Sequence, residues 1–232
     1  MSPPLKPDTD AWKAEVLSKI DPHRTAVLAI DLQTDFCSSD GALAALGSDI
    51  TPCTGTAERI ARFLPQVRGL VDTIAFFQLI YDVDEMSASQ QERLLRDGKP
   101  FLCVPETPGS RLVINPAPGD LVFTKHRYSA FTNASFLQLL HDRSINTVVV
   151  TGVDTHICIE GTVRHGYDLG FRMVVLSDLV GTRKSELGRH ETSLQLCERY
   201  FSVLVTSRIF LAALNQPRHA CEWRLQSVAE SE

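Results

Sequence analysis

The segment Val150–Gly161, VTGVDTHICIEG, decides how the chain reads. It continues a β-branched run, Thr147–Val150, which predicts a short buried strand ended by Gly152. From His156 to Leu169 apolar residues recur at Ile159, Thr162, Val163 and Leu169 before Gly170, the pattern of a helix with glycine beyond its C-terminus. Cys158 then falls in the first turn of that helix. Unpaired backbone N–H groups and the positive end of the helix dipole meet there and favour a thiolate. Taken alone, Cys158 is equally well explained as a small core residue, the usual role of a free cysteine.

Outward from this segment the chain alternates. Thr25–Asp31 is an apolar run ending in an acid and predicts a central strand; a helix at Asp10–Ile20 precedes it and a Gly- and Ser-containing loop follows to about Gly55. Further helices are expected over Thr56–Asp72, with Pro65 as a kink or restart, and over Ser87–Asp97, Ala134–Arg143, Glu186–Tyr200 and Ile209–Leu214. Asn133 is the cap of the Ala134 helix. Further strands are expected at Thr73–Ile80, Leu121–Lys125, Arg172–Leu176 and Val203–Thr206. Strands alternating with helices predict an α/β protein: a three-layer, Rossmann-like fold with a mostly parallel central sheet covered by helices on both faces. Ligands of such sheets bind at the carboxyl ends of the strands. Asp31, Lys125 and the turn before Cys158 all lie at such ends, so a carboxylate, an ammonium and a thiol can meet in one crevice.

Composition bounds the function. A chain of 232 residues with 44% hydrophobic residues can bury a core as a single domain, here centred on residues 25–214. The formal net charge of −5, with Lys125-His126-Arg127 as the densest basic stretch, excludes a nucleic-acid surface. No apolar run reaches membrane-span length, and Met1–Lys6 lacks the apolar stretch of a secretion signal. Six scattered cysteines without C-x-x-C or zinc-type spacing read as free thiols in a reducing compartment, so a cytoplasmic location is expected.

Three separate stretches, AIDLQTDFC (Ala29–Cys37), VFTKHRYSAF (Val122–Phe131) and VTGVDTHICIEGTVRHGYDLGFRMVVLSD (Val150–Asp178), occur in the order that resembles the isochorismatase-like cysteine hydrolases. That family includes nicotinamidases, N-carbamoylsarcosine amidohydrolase, biuret hydrolase and ureidoacrylate amidohydrolase, and the resemblance spans about Thr25–Leu214. It implies a catalytic triad of Asp31, Lys125 and Cys158. Isochorismatase proper lacks the thiol, so Cys158 points to hydrolysis of a small amide, ureide or carbamoyl compound. Ether hydrolysis of the isochorismatase kind, or a non-catalytic binding protein that keeps the fold, are the alternatives. In the implied chemistry Cys158 attacks the carbonyl carbon and forms a thioester, while Asp31 moves the protons. An unperturbed Asp, with pKa ~3.9, is too acidic for that task near neutrality; burial raises it and Lys125 opposes the rise. The resemblance also implies a non-proline cis peptide at Val153–Asp154, which aims the backbone N–H of Asp154, with that of Cys158, at the developing oxyanion.

Two residues depart from the family pattern: Asp154 stands where a small residue is usual, and His156 where Asn or Asp is. Asp154 either faces the pocket, where it accepts hydrogen bonds from substrate N–H groups and raises the thiol pKa, or turns away as a structural loop residue. Phe36, Tyr128 and Phe131 flank the triad segments and are expected as pocket walls. Arg127 is a weaker candidate for a substrate carboxylate. Nicotinamidases hold a metal with an Asp-x-His-type cluster after the second strand; LIYDVDEMSASQQERLL has acids but no histidine. Asp82, Asp84 and Glu85 therefore read as a solvated loop, and neither metal nor other cofactor is expected. Family resemblance and an apolar stripe at Leu187, Leu194 and Leu196 suggest a homo-oligomer, a dimer or tetramer.

Overall fold

The computed structural model describes residues 9–98 and 101–215; Cys221 and the opening Met1–Lys6 lie outside them. The elements in chain order are α1 (Thr9–Ser18), β1 (Thr25–Ile30), α2 (Thr34–Cys37), α3 (Ala42–Ala45), α4 (Thr51–Val67), β2 (Thr73–Leu79), α5 (Ala88–Asp97), β3 (Leu121–Lys125), α6 (Ala134–Asp142), β4 (Thr147–Val153), α7 (Glu160–Asp168), β5 (Arg172–Gly181), α8 (Leu187–Leu196), β6 (Ser202–Val205) and α9 (Ser207–Leu214). The strands pair in parallel in the order β3-β2-β1-β4-β5-β6. The chain starts in the middle of the sheet, winds outward to β3, returns to β4 beside β1 and winds outward again to β6. The reversal between β1 and β4 opens a crevice at their carboxyl ends.

Every residue of β1 and β4 is buried, as expected for central parallel strands covered on both faces. At the edge, β3 alternates between half-buried and exposed positions until Lys125, which is buried. The helix α4 buries Cys53, Ala57, Ile60, Leu64 and Val67 at helical spacing. An aromatic cluster fills part of the core: Phe77 meets Phe136 edge-on at 4.8 Å between ring centroids, and Phe131 stacks on Phe171 at 5.2 Å. Asn133 caps α6 by accepting from the Phe136 N–H at 2.9 Å, and Gly170, at φ +87°, follows α7 in the left-handed conformation.

The expected elements are present, with differences in extent. The loop after β1 contains two single-turn helices, α2 and α3, and α4 starts at Thr51 rather than Thr56. The strand β5 runs to Gly181 rather than Leu176. The Asp178 carboxylate accepts from the Ser207 N–H at 2.7 Å and its hydroxyl at 2.6 Å, which satisfies it at the side of the sheet. Gly152 does not end β4. It sits inside the strand at φ +122°, where the β4–β5 register shifts. A methyl group at this position would run into the backbone of Ile30 on β1. Gly152→Ala should therefore destabilise the protein by about 2 kcal/mol or more, because unfavourable φ and backbone overlap act together; urea denaturation followed by circular dichroism measures it.

Candidate active site

Three sheet ends deliver the three candidate catalytic groups. The left-handed residue Asp31, at φ +55°, terminates β1, and its N–H donates to Phe77 O at 2.9 Å. Aspartate is among the few L-residues that visit this conformation readily. Lys125 ends β3, two strands away from β1, opposite Leu79 in register. Two strand spacings amount to roughly 9–10 Å, a gap that needs the longest straight side chain, laid across the end of β2. Its Nζ donates to Asp31 Oδ2 at 2.8 Å and to Cys158 Sγ at 3.4 Å. The Lys125 and Asp31 side chains are 0% and 1% exposed, so this ion pair has no solvent to fall back on. Asp31 Oδ1 is buried and has no hydrogen-bond partner among the described residues.

Cys158 lies in a turn of π-helix, Thr155–Ile159, between β4 and α7. The turn is pinned from several sides. Thr155 Oγ1 donates to Gly181 O at 2.9 Å and meets His190 Nδ1 at 2.8 Å, while Ser193 Oγ donates to Thr155 O at 3.3 Å. The Val153–Asp154 peptide bond is cis, at the position the resemblance implies.

The electrostatics revise one expectation. Burial, then the Asp31 carboxylate, push the Cys158 thiol well above its usual pKa, against the pull of Lys125. Burial also raises the Asp31 carboxyl, again with Lys125 opposing. For Lys125, burial disfavours the ammonium, but the negative partners Asp31 and Cys158 outweigh it and its pKa rises. The easily formed thiolate expected from a helix start is outweighed by desolvation and a neighbouring carboxylate.

A cavity of about 350 Å³ opens above Asp31 and Cys158. Phe36, Tyr128 and Asp154 line it. Phe131 does not: it is 3% exposed and packs between Phe136, His165 and Phe171 in the core. Its place in the 3-10 turn after Ser129 turns the ring inward, a correction to its reading as a pocket wall. Asp154 combines both open readings. It lines the cavity, and its carboxylate also accepts from Thr182 Oγ1 at 3.1 Å and faces Arg183 Nε at 3.8 Å. Burial raises its pKa, with Arg183 and His156 opposing. His156 in turn contacts Thr182 Oγ1 at 3.4 Å and Glu186 at 3.7 Å.

Arg127 is spent elsewhere, donating to the carbonyls of Glu85 and His126 at 2.8 and 3.0 Å. Asp84 and Glu85 are exposed and Asp82 caps a short turn, as expected of a solvated loop. Among the described residues no three His, Cys, Asp or Glu side chains converge as a metal site. Sequence reasoning missed Tyr81, Arg93, Leu94, Leu102 and Arg183 at the cavity. It also missed Gln33, whose buried amide donates to Leu79 O and Ser110 O and accepts from the Leu79 N–H.

Alkylation reports the charge state of the nucleophile. Iodoacetamide should label Cys158 slowly at pH 7, and faster only as the pH climbs beyond the ordinary thiol value of ~8.5. Asp31→Asn removes a negative charge that holds the thiol protonated, so labelling should be faster at every pH. Peptide mapping by mass spectrometry resolves the site.

The isochorismatase domain family matches residues 25–209. A ureidoacrylate amidohydrolase of Methylorubrum extorquens is 28% identical over 227 residues, covering 91% of this chain and 88% of the relative. One from Cronobacter sakazakii is 31% identical over 172 residues, covering 68% and 74%. A solved cysteine hydrolase from Pseudomonas syringae pv. phaseolicola shares the fold at a TM-score of 0.70 and 21% identity, covering 84% of this chain and 94% of that one. With the family matched across most of its length and its strand order intact, this chain belongs to the isochorismatase-like hydrolases.

Proposed function

We propose that the chain is a cysteine-dependent amidohydrolase that cleaves a C–N bond of a small amide, ureide or carbamoyl compound through a thioester. The observation that carries this reading is Lys125 Nζ, held between Asp31 Oδ2 and Cys158 Sγ, the two of the trio that line the cavity. The amidohydrolase names of its relatives support it.

Asp31 takes the thiol proton as Sγ attacks the carbonyl carbon; the unpartnered Oδ1 is the free acceptor. A thiol whose pKa is raised needs such a base at the moment of attack rather than beforehand. The oxyanion of the tetrahedral intermediate is received by the backbone N–H groups of Asp154 and Cys158. Asp31 then gives its proton to the leaving nitrogen, and the C–N bond breaks to leave a thioester and a free amine or ammonia. Water enters, Asp31 takes one of its protons, and the hydroxide attacks the thioester carbon. The acid departs as the C–S bond breaks, and the sulfur regains its proton from Asp31. Lys125 keeps its charge throughout, orienting Asp31 and stabilising negative charge on sulfur. The thiol in this constellation favours amide over ether hydrolysis.

The whole chain is read as one hydrolase unit. Five described cysteines are free and buried, which supports a reducing, cytoplasmic setting, and no described helix is long and apolar enough to cross a membrane. Assembly into a homo-oligomer is supported by exposed Leu187 and Tyr200, 42% and 54% accessible, on and after α8; Leu194 and Leu196 are half-buried beside them. Light scattering at micromolar concentration should report a dimer or tetramer, and a monomer contradicts this assembly.

Cys158→Ala should lower ammonia release from small amides by about a thousandfold or more while far-UV circular dichroism stays unchanged. Wild-type-like turnover by that variant excludes the cysteine mechanism. Asp31 must be unprotonated to act, and its pKa is raised, so kcat/KM should fall with decreasing pH at values above the ordinary ~3.9 of aspartate. Lys125→Met removes the opposing charge and should move that acid limb to still higher pH.

A further inference from the structure

The cavity is larger than the reaction requires. At about 350 Å³ it has more than twice the ~150 Å³ that accommodates benzene in an apolar protein interior. An amide bearing only a methyl group would leave most of it unfilled. Its wall away from the trio is apolar and drawn from separate segments: Phe36 of α2, Leu43 of α3, Leu94 of α5 and Leu102 beyond it. Phe36, Leu43 and Leu94 are only 8%, 6% and 7% exposed, so the surface they offer faces the cavity and the core rather than open solvent.

The charged groups of the wall already face partners within the site. Arg93 donates to the Tyr128 hydroxyl and lies over its ring at 5.8 Å. Arg183 sits 3.8 Å from Asp154 and 4.0 Å from Glu186, and its buried Nε makes no hydrogen bond among the described residues. Two buried carboxyls, Asp31 and Asp154, line the same space. A substrate carboxylate seated beside them would meet like charge, offset only in part by Arg183. An uncharged apolar group meets no such opposition and fills the volume.

Resting on the amidohydrolase reading, we propose that the substrate is an amide or ureide carrying an uncharged apolar group of about ring size, seated against Phe36, Leu43, Leu94 and Leu102 with its carbonyl toward Cys158. Burial of a ring against these side chains multiplies kcat/KM by about a hundred relative to a methyl group, the size of effect that full burial of one large apolar side chain has. The experiment compares ammonia release from acetamide and phenylacetamide, and from N-carbamoylglycine and benzylurea. The expected result is a preference of about a hundredfold for the phenyl-bearing member of each pair, reduced at least about tenfold by Leu94→Asp and retained by Leu94→Met. A flat profile, or a preference for acetamide or the carboxylate-bearing ureide, overturns the inference while Cys158-dependent turnover keeps the mechanism. Hydrolysis that persists in Cys158→Ala removes the mechanism instead, and the size preference is still read from the rates. A turnover-independent readout titrates the Cys158→Ala protein with acetamide and phenylacetamide by calorimetry. Tighter binding of phenylacetamide supports the inference; equal affinity, or no binding of either, overturns it.

Discussion

The buried ion pair between Lys125 and Asp31 is the contact on which the site depends. Each charge alone would be strongly disfavoured in a fully enclosed position, and their mutual attraction holds only while the geometry is kept. That requirement fixes the relation of β3 to β1 across the end of β2, and with it the floor of the cavity. The thiol is the third member: Lys125 Nζ touches both partners, so the position of Cys158 is set by the same ammonium. The sheet order serves this arrangement. Because the chain reverses between β1 and β4, Asp31 and the nucleophile turn come from neighbouring strands, while Lys125 reaches in from the edge.

The charge balance shows how a cysteine can be useful without being a standing thiolate. Burial and Asp31 raise the thiol pKa, burial raises that of Asp31, and Lys125 tempers both shifts. A carboxylate of raised pKa is a stronger base, which eases its taking of the thiol proton at the moment of attack. Asp154 extends the same logic to the rim. The cost of this second carboxyl beside the cavity is offset by Thr182, Arg183 and the nearby His156.

Much of this was legible in the sequence because it follows from periodicity and strand ends. The six strands, the Asn133 cap and the glycine after α7 each leave a local signature. Asp31 and Lys125 could be placed because apolar runs end on them, and Cys158 because a strand and helix meet there. The cavity wall was not legible in the same way. Leu94, Leu102, Arg93 and Arg183 come from a polar helix and connecting segments whose burial depends on what folds over them. Phe131 was misplaced because closeness to Lys125 in sequence says nothing about ring direction after a 3-10 turn. The extra length of β5 escaped notice because Asp178 is satisfied by Ser207, a partner 29 residues away. The thiol pKa was misjudged because dipole arguments are local, whereas desolvation is set by the whole enclosure.

The reach of Lys125 also bears on how the sheet comes apart. Edge strands are ordinarily the first to fray, and β3 is such an edge, with Val122 48% exposed. Yet β3 cannot peel away without withdrawing the ammonium from Asp31, 94 residues earlier in the chain, and leaving a carboxylate unpaired in the apolar interior. The side chain acts as a clasp between the sheet's border and its centre. It ties local opening at β3 to disruption of β1 and β4, so a strand that would otherwise be a weak margin shares in the cooperativity of the central sheet.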